Sequence, residues 1–386
     1  MVCGAYRVRG FLSLMERKMM QQKPIRVLHI VTYMGIGGLE TMLMNVFRNI
    51  DREKVQFDFL VHRSFRASYD DEIETLGGRI YRLPKLNPFS LRYRQALDRF
   101  FREHPEYRIV HCHQDCLSAI PLAAAQRAGI PVRIAHSHTS SQDNNLKYLV
   151  KRFYMTKIPT VSTHFFACSK KAGKWMFPGQ QVTVINNGIE TERFAFSSET
   201  RREVRKALGI CDELVLGHVG SFVPTKNHSF LLDVFKKVQE KRPDAKLVFV
   251  GNGPREMEVR QKTYALGLKD SVHFLGLRTD VNRLYQAMDV FVMPSVYEGL
   301  GIAAVEAQAS GLRCVLSDTI PSECQLTGNV KFMSLSNDPE AWAEEVLRKS
   351  DRSRMGCADI VLEAGYDIKN TAIWLQNFYL ENWDNA

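Results

Sequence analysis

VFVMP at 290–294 runs directly into SVYEGLGIAAVEAQASG at 295–311. The first run is rich in Val and Phe, as a buried strand is, and the small-residue run after it has the length of a helix. Between them Gly299, Leu300 and Gly301 make a tight turn that opens the helix. Such a helix start presents unpaired backbone N–H groups and the positive end of a dipole, which suits a diphosphate. Glycine lets the backbone come close to it. Glu306, about one turn further on, is placed to accept hydrogen bonds from ribose hydroxyls, as acidic residues do in nucleotide sites. Glu298, ahead of the helix, faces the group beyond the phosphates.

Strand, turn and helix recur on both sides of this unit. In the first half, strands at 26–31, 57–62, 109–111, 132–135, 165–167 and 182–185 alternate with helices at 39–49, 69–76, 91–103, 117–128, 146–154 and 170–176. In the second half, strands at 214–219, 246–250, 272–274, 290–292 and 313–316 alternate with helices at 227–239, 255–265, 281–287, 302–309 and 341–349. This alternation predicts two α/β units, each a parallel sheet covered on both faces. The polar, aperiodic segment 188–198 reads as the hinge between them. The expected layout is a poorly ordered leader at 1–23, a first domain at 24–190, a second at 191–369, and a C-terminal helix at 370–386 able to pack back across the domains.

A chain of 386 residues suits two cores better than one. Its composition, 45% hydrophobic and 24% charged, is that of a globular protein, and no run reaches the roughly 18–20 apolar residues of a membrane span. The cysteines lack the spacing of a disulfide framework, and without a secretion signal the expected compartment is the cytoplasm. Charge is uneven: residues 1–198 hold 29 Lys and Arg against 16 Asp and Glu, and the remainder 23 against 26. A basic first half predicts an anionic partner. Segment 144–157 sets Lys147, Lys151 and Arg152 beside Tyr148, Phe153 and Tyr154, and segment 91–104 has the same mixture. Both suit an anionic membrane surface, although an amphipathic helix packed on its own sheet has the same pattern.

Four histidines come in pairs, His111 with His113 in VHCHQDC and His136 with His138 in AHSH. Residues i and i+2 of a strand point to one side, and both pairs fall at strand ends, where α/β sheets bind ligands. Neither pair has a zinc spacing, so no metal is expected. Lys226, after the strand LVLGHV, is placed to neutralise charge on a leaving diphosphate. Gly35, Gly37 and Gly38 follow the first strand, but a dinucleotide fingerprint would need glycine where Glu40 stands. That counts against a nicotinamide-dependent oxidoreductase.

Taken in order, YMGIGGLE (33–40), AHSH (135–138), VINNGIETERF (184–194), GHVGSFVPTKNH (217–228), VFVGNGPRE (248–256), VHFLGLRTDV (272–281) and the two-glutamate stretch resemble the motifs of glycosyltransferase family 4, in particular those of bacterial capsular and exopolysaccharide transferases. The resemblance implies the GT-B fold, two Rossmann-like domains facing each other across a cleft. It implies transfer of a hexose or N-acetylhexosamine from a nucleotide-sugar donor, a UDP-sugar by frequency, to a saccharide acceptor with retention at the anomeric carbon. Gly38 would then approach the donor phosphates across the cleft. His136, or His138 two residues on, would lie near the transferred sugar, and Glu298 would position that sugar. Lys226, Gly299, Leu300, Gly301 and Glu306 would hold the donor, while Phe274, Leu277 and Arg278 would line a slot for the base. Family members usually have arginine where this chain has Ser221, so Ser221 itself, Arg278 or Lys170 would serve the phosphates instead. The implied acceptor is lipid-linked, in surface polysaccharide synthesis at the inner membrane face, with neither metal cofactor nor nucleic acid. Two other readings of the fold stay open: a nucleotide-sugar 2-epimerase and a non-catalytic nucleotide-sugar-binding protein.

Overall fold

The structure, a computed structural model, describes residues 23–141, 146–348, 354–355 and 357–385. The expected leader, Lys23 apart, lies outside the described residues. The first domain is built on a seven-stranded sheet of order β3-β2-β1-β4-β5-β6-β7. Its strands are β1 (Ile25–Ile30), β2 (Val55–Val61), β3 (Ile80–Arg82), β4 (Ile109–Cys112), β5 (Val132–Ser137), β6 (His164–Ala167) and β7 (Thr183–Val184). The second is built on a six-stranded sheet of order β10-β9-β8-β11-β12-β13. Its strands are β8 (Val215–Val219), β9 (Lys246–Val250), β10 (Val272–Phe274), β11 (Val290–Met293), β12 (Arg313–Ser317) and β13 (Val330–Met333). Every neighbouring pair is parallel.

Both orders are doubly wound and reverse at the centre, between β1 and β4 and between β8 and β11. Ligands bind beyond the carboxyl ends of the strands at such a reversal. Strands β4 and β11 are buried along their whole length, which is why they read as continuous apolar runs. The edge strands β3 and β13 are half-exposed and mix charged with apolar residues, so the sequence pattern does not show them.

The expected hinge needs correcting. Ser198 starts a helix, Ser198–Ala207, capped by the Ser197 side chain, which accepts from Thr200 N–H. Its buried face holds only Val204 and Arg205, too little to give an apolar period. Nor is the stretch before it an open linker. Ile189 N–H donates to Tyr366 at 2.8 Å and Ile189 accepts from Ile368 N–H at 3.0 Å. A Cβ on Gly188 would stand 2.7 Å from the Ile368 Cα. The two passages of the chain between the domains thus run side by side.

The second passage leads into the helix Ile368–Asp384, whose first turn is capped by the Asp367 carboxylate. This helix lies on the first sheet, where Ile368, Ala372, Leu375 and Tyr379 share a core with Val27, Phe47 and Phe57. Gln376 accepts from Asp51 N–H at 2.7 Å at its outer edge. Among the described residues, no helix is long and apolar enough to cross a membrane.

Candidate active site

The second-domain wall begins at the helix Ile302–Ala309. Its N-cap Gly301 has φ 93, a left-handed conformation that glycine adopts without steric cost. The Tyr285 hydroxyl lies 2.9 Å from Glu306 Oε2 and 3.0 Å from the Ala303 carbonyl oxygen. Burial pushes the Glu306 carboxyl up to about 7, against the opposing pull of that tyrosine hydrogen bond. Leu300 is 2% exposed and belongs to the core.

Loops after β8, β9 and β10 form the rim. Phe222 N–H donates to Asn252 at 2.9 Å and Arg255 N–H to Phe222 at 3.0 Å. Gly251 and Gly253 are so close to the backbone of Gly220 and Phe222 that a side chain on either would collide with it. Ser221 is exposed on this rim. Lys226 Nζ donates to Glu298 Oε1 at 2.6 Å, with side-chain exposures of 19% and 13%.

The expected base slot is only partly presented. The Phe274 ring packs 5.4 Å from Phe249 and 6.0 Å from Phe222, with the Arg260 guanidinium 4.1 Å from its centroid. This is core packing, and it leaves the loop backbone, with the exposed Leu277, as the surface on offer. Arg278 is tied to Asp280 at 2.7 Å, and Lys170 lies at the domain contact, its N–H donating to Glu323 at 2.9 Å.

The first-domain wall meets this one closely. Gly38 begins the helix Gly38–Asn49, and a Cβ on it would lie 3.9 Å from Ile302 Cγ2. Two helix N-termini therefore confront each other across the cleft. The turn at Glu298 and Gly299 is held from the other side: Ser140 Oγ donates to the Glu298 carbonyl at 2.5 Å, and Ser169 Oγ to the Gly299 carbonyl at 2.6 Å. A Cβ on Gly299 would collide with the His138 carbonyl oxygen, so glycine is required there by the partner domain.

Under this wall lie five histidines. His111 Nε2 and His136 Nδ1 are 3.0 Å apart, His113 Nδ1 and His138 Nε2 2.8 Å, and His29 Nδ1 and His113 Nε2 3.1 Å. The Tyr379 hydroxyl is 2.7 Å from His111 Nδ1. Burial lowers His29 and His138 to about 3, and it holds His111, His113 and His136 well below the ordinary histidine range. All five are neutral at pH 7.

His136, expected beside the sugar, is 1% exposed at the end of β5, and its Nε2 is buried without a partner. His138, half-buried against Gly299, has its Nδ1 in the same condition. Two groups, His29/His111/His113 and His113/His136/His138, bring one nitrogen from each residue within 4.8 Å of the others. A metal could use that spacing, but these rings already hydrogen-bond one another, and neither group includes a carboxylate that would offset a divalent charge.

Sequence reasoning did not reach His29, Tyr379 or Asp115. His29 and Tyr379 reach the cluster from other elements, Tyr379 from 268 residues away. Asp115 follows β4 with φ 46, a left-handed conformation that Asp and Asn adopt more readily than other residues with a side chain. Its Oδ1 is buried and unpartnered, and burial raises the carboxyl to about 6, against a backbone hydrogen bond from His138.

A family profile described as Glycosyltransferase Family 4 matches residues 36–193, and one described as Glycosyl transferases group 1 matches residues 200–353. The chain is 36% identical over 368 residues to a Bacillus subtilis protein named Putative glycosyltransferase EpsF, covering 92% of this chain and 96% of that one. It is 24% identical to the UDP-Gal:alpha-D-GlcNAc-diphosphoundecaprenol alpha-1,3-galactosyltransferase of Escherichia coli, over 85% of this chain and 88% of that one. The crystal structure of Anabaena Alr3699/HepE in complex with UDP-glucose has the same fold, with TM-score 0.77 and 18% identity over 92% of this chain and 99% of that one. With one doubly wound sheet on each side of a cleft and a relative of this identity along nearly its whole length, the chain belongs to the family 4, group 1 glycosyltransferases.

Proposed function

We propose that the chain transfers a hexose or N-acetylhexosamine from a UDP-sugar to a lipid-linked saccharide, with retention, at the inner face of the membrane. The observation that carries this reading is the approach of Gly38 to Ile302, at 3.9 Å from a built Cβ, with the Lys226–Glu298 pair on the same cleft. Two helix N-termini and one cation converge on the place a diphosphate would occupy. Glu306 takes the ribose hydroxyls, and the His136/His138 wall faces the sugar. The Escherichia coli relative, named for UDP-Gal and a diphosphoundecaprenol acceptor, and the Anabaena complex with UDP-glucose support a uridine donor and a diphospholipid-linked acceptor.

In the proposed step the bond from anomeric carbon to phosphate oxygen breaks as the acceptor oxygen bonds the same face of that carbon. The acceptor proton passes to the departing phosphate oxygen. Glu298 holds the sugar in place without forming a bond to it, Lys226 and the helix termini stabilise the UDP leaving group, and no metal is called for. Asp115 Oδ1, buried without a partner on the first-domain side, is suited to receive an acceptor hydroxyl.

One exposed surface of the first domain supports a membrane contact. Tyr154 OH bonds the Pro88 carbonyl at 3.2 Å and accepts from Arg94 at 3.0 Å, so the helix Leu146–Met155 touches the start of the helix Leu91–Glu103 through this side chain. Phe89, Leu91, Leu149 and Phe153 stand 56–76% exposed there, among the exposed Arg92, Arg94 and Arg152. The Lys147 side chain lies outside the described residues. Apolar side chains among cations suit an anionic bilayer.

The test is incubation with UDP-glucose, UDP-galactose and UDP-N-acetylglucosamine and a diphosphoundecaprenol-linked acceptor, followed by NMR of the new linkage. An α-linked product from an α-linked donor supports the reading. A β-linkage overturns retention, and conversion of the donor sugar without acceptor supports the epimerase instead.

A further inference from the structure

The two histidine relays have a direction that their hydrogen bonds determine. Tyr379 is fully buried, and among the described residues His111 Nδ1 is the hydrogen-bond partner of its hydroxyl, at 2.7 Å. A phenol can donate or accept. If His111 donated to it, the phenol proton and the His136 Nε2 lone pair would both be left buried and unmet, whereas donation by Tyr379 leaves a single unmet group, at His136 Nε2. Tyr379 therefore donates to Nδ1, and the proton of neutral His111 sits on Nε2. That N–H points at His136 Nδ1, 3.0 Å away, so the proton of neutral His136 sits on its own Nε2, the buried atom without a protein partner.

We propose that Tyr379 and His111 are positioning residues that lock His136 as the Nε2–H tautomer, so that it meets an oxygen of the bound donor as a neutral hydrogen-bond donor. This deepens the proposed function and rests on its placement of His136 at the sugar. The inference gives the C-terminal helix a part in the reaction: it carries Tyr379 back from the end of the chain to the first-domain wall.

The second relay follows the same logic. Its end atoms are His29 Nε2 and His138 Nδ1, both buried without a partner, the second on the residue whose backbone packs against Gly299 of the other domain. One end must carry an unmet N–H and the other an unmet lone pair. An unmet acceptor is the less costly of the two in a core. The proton therefore lies at His138 Nδ1, where a ligand oxygen can meet it, and the lone pair at His29. Both relays then end as N–H donors on the sugar side. A neutral N–H donor contacts hydroxyl and phosphate oxygens without the desolvation cost of a buried charge, and a wrong tautomer presents a lone pair to an oxygen instead.

The experiment uses the full chain with ¹⁵N-labelled histidine. Two-bond ¹H–¹⁵N spectra assign the proton of each neutral imidazole, first in the wild type and then in Tyr379→Phe. Donor and acceptor kinetics are measured on the same two proteins, and melting curves check that both are folded. The expected wild-type spectrum shows His111 and His136 each protonated on Nε2. In Tyr379→Phe, His136 becomes a mixture of tautomers, and kcat falls by about twofold or more, in proportion to the Nδ1–H fraction read from the spectrum, while the donor KM is little changed. His136 protonated on Nδ1 in the wild type overturns the relay without reference to any variant. So does an unchanged His136 tautomer in Tyr379→Phe. A changed tautomer with unchanged kcat upholds the relay and overturns the placement of His136 at the sugar. One equivalent of zinc or cobalt that is lost on His113→Ala also overturns the relay, since it would consume the lone pairs the relay uses.

Discussion

Lys226 Nζ lies 2.6 Å from Glu298 Oε1, so the cation proposed for the donor phosphates is paired with the carboxylate proposed for the sugar. The same glutamate is anchored through its backbone carbonyl by Ser140 of the other domain. On the proposed reading, donor binding separates this pair, and the two charges then serve opposite ends of the same substrate.

Removing the charge of Glu298 should therefore split binding from turnover. Glu298→Gln frees Lys226, so UDP binds at least as tightly as to the wild type, while kcat falls by about 10² or more because the sugar is no longer held. Lys226→Ala weakens UDP binding and turnover together. Calorimetry with UDP and steady-state rates on the two variants check this. Weaker UDP binding by Glu298→Gln would contradict the pairing as the resting arrangement.

Glu306 makes donor binding depend on pH. Its folded carboxyl is raised to about 7 by burial, and ribose hydroxyls are accepted best by the ionised form. UDP affinity should rise between about pH 6 and pH 8, with uptake of a proton by the buffer on binding, and Glu306→Gln should flatten the profile. The stability effect has a definite sign. An acid whose folded value is raised costs nothing below its unfolded value near 4.5 and loses stability as pH rises toward 7. Glu306→Gln should melt higher than the wild type at pH 8 and about equally at pH 4.

The histidines act at the other end of the scale. His29, His111, His113, His136 and His138 are all held neutral by burial. As pH falls below about 6.5, the unfolded chain takes up protons that the folded chain refuses, and each such group costs about 1.4 kcal/mol per pH unit. The melting temperature should fall steeply between pH 6.5 and pH 4.5. His29→Gln should shallow that slope by about one proton; an unchanged slope would contradict the buried neutral assignment.

Phe89, Leu149 and Phe153 are exposed beside cations. Leu149→Ser with Phe153→Ser should cut binding to vesicles rich in anionic lipid by about tenfold or more, with turnover on a water-soluble acceptor unchanged. Co-sedimentation measures the first and a donor-release assay the second.

What could be read from the chain follows from how local each signal is. The helix Ile302–Ala309 and the strand Lys246–Val250 coincide with their sequence boundaries, because an apolar run bounded by glycine is decided within ten residues. The helix Ser198–Ala207 was hidden because its packing face is nearly all polar. Phe274 is placed in a base slot by the family resemblance alone, and the packing of its ring on Phe222 and Phe249 depends on other loops and strands that its own segment does not show. The histidine pairs could be placed on one side of their strands from spacing alone, but not their extension to His29 and Tyr379, which depends on strand order and on the return of the C-terminal helix.

The central claim, a nucleotide-sugar site built on Glu306 between the two domains, is tested most directly by titrating UDP, GDP and ADP without added metal into the wild type and Glu306→Ala. The account predicts that UDP binds the wild type preferentially and that Glu306→Ala weakens it by about tenfold or more, the loss of a charge-assisted hydrogen bond. Equal UDP binding by both proteins, or binding of none of the three nucleotides by a folded wild type, would contradict it.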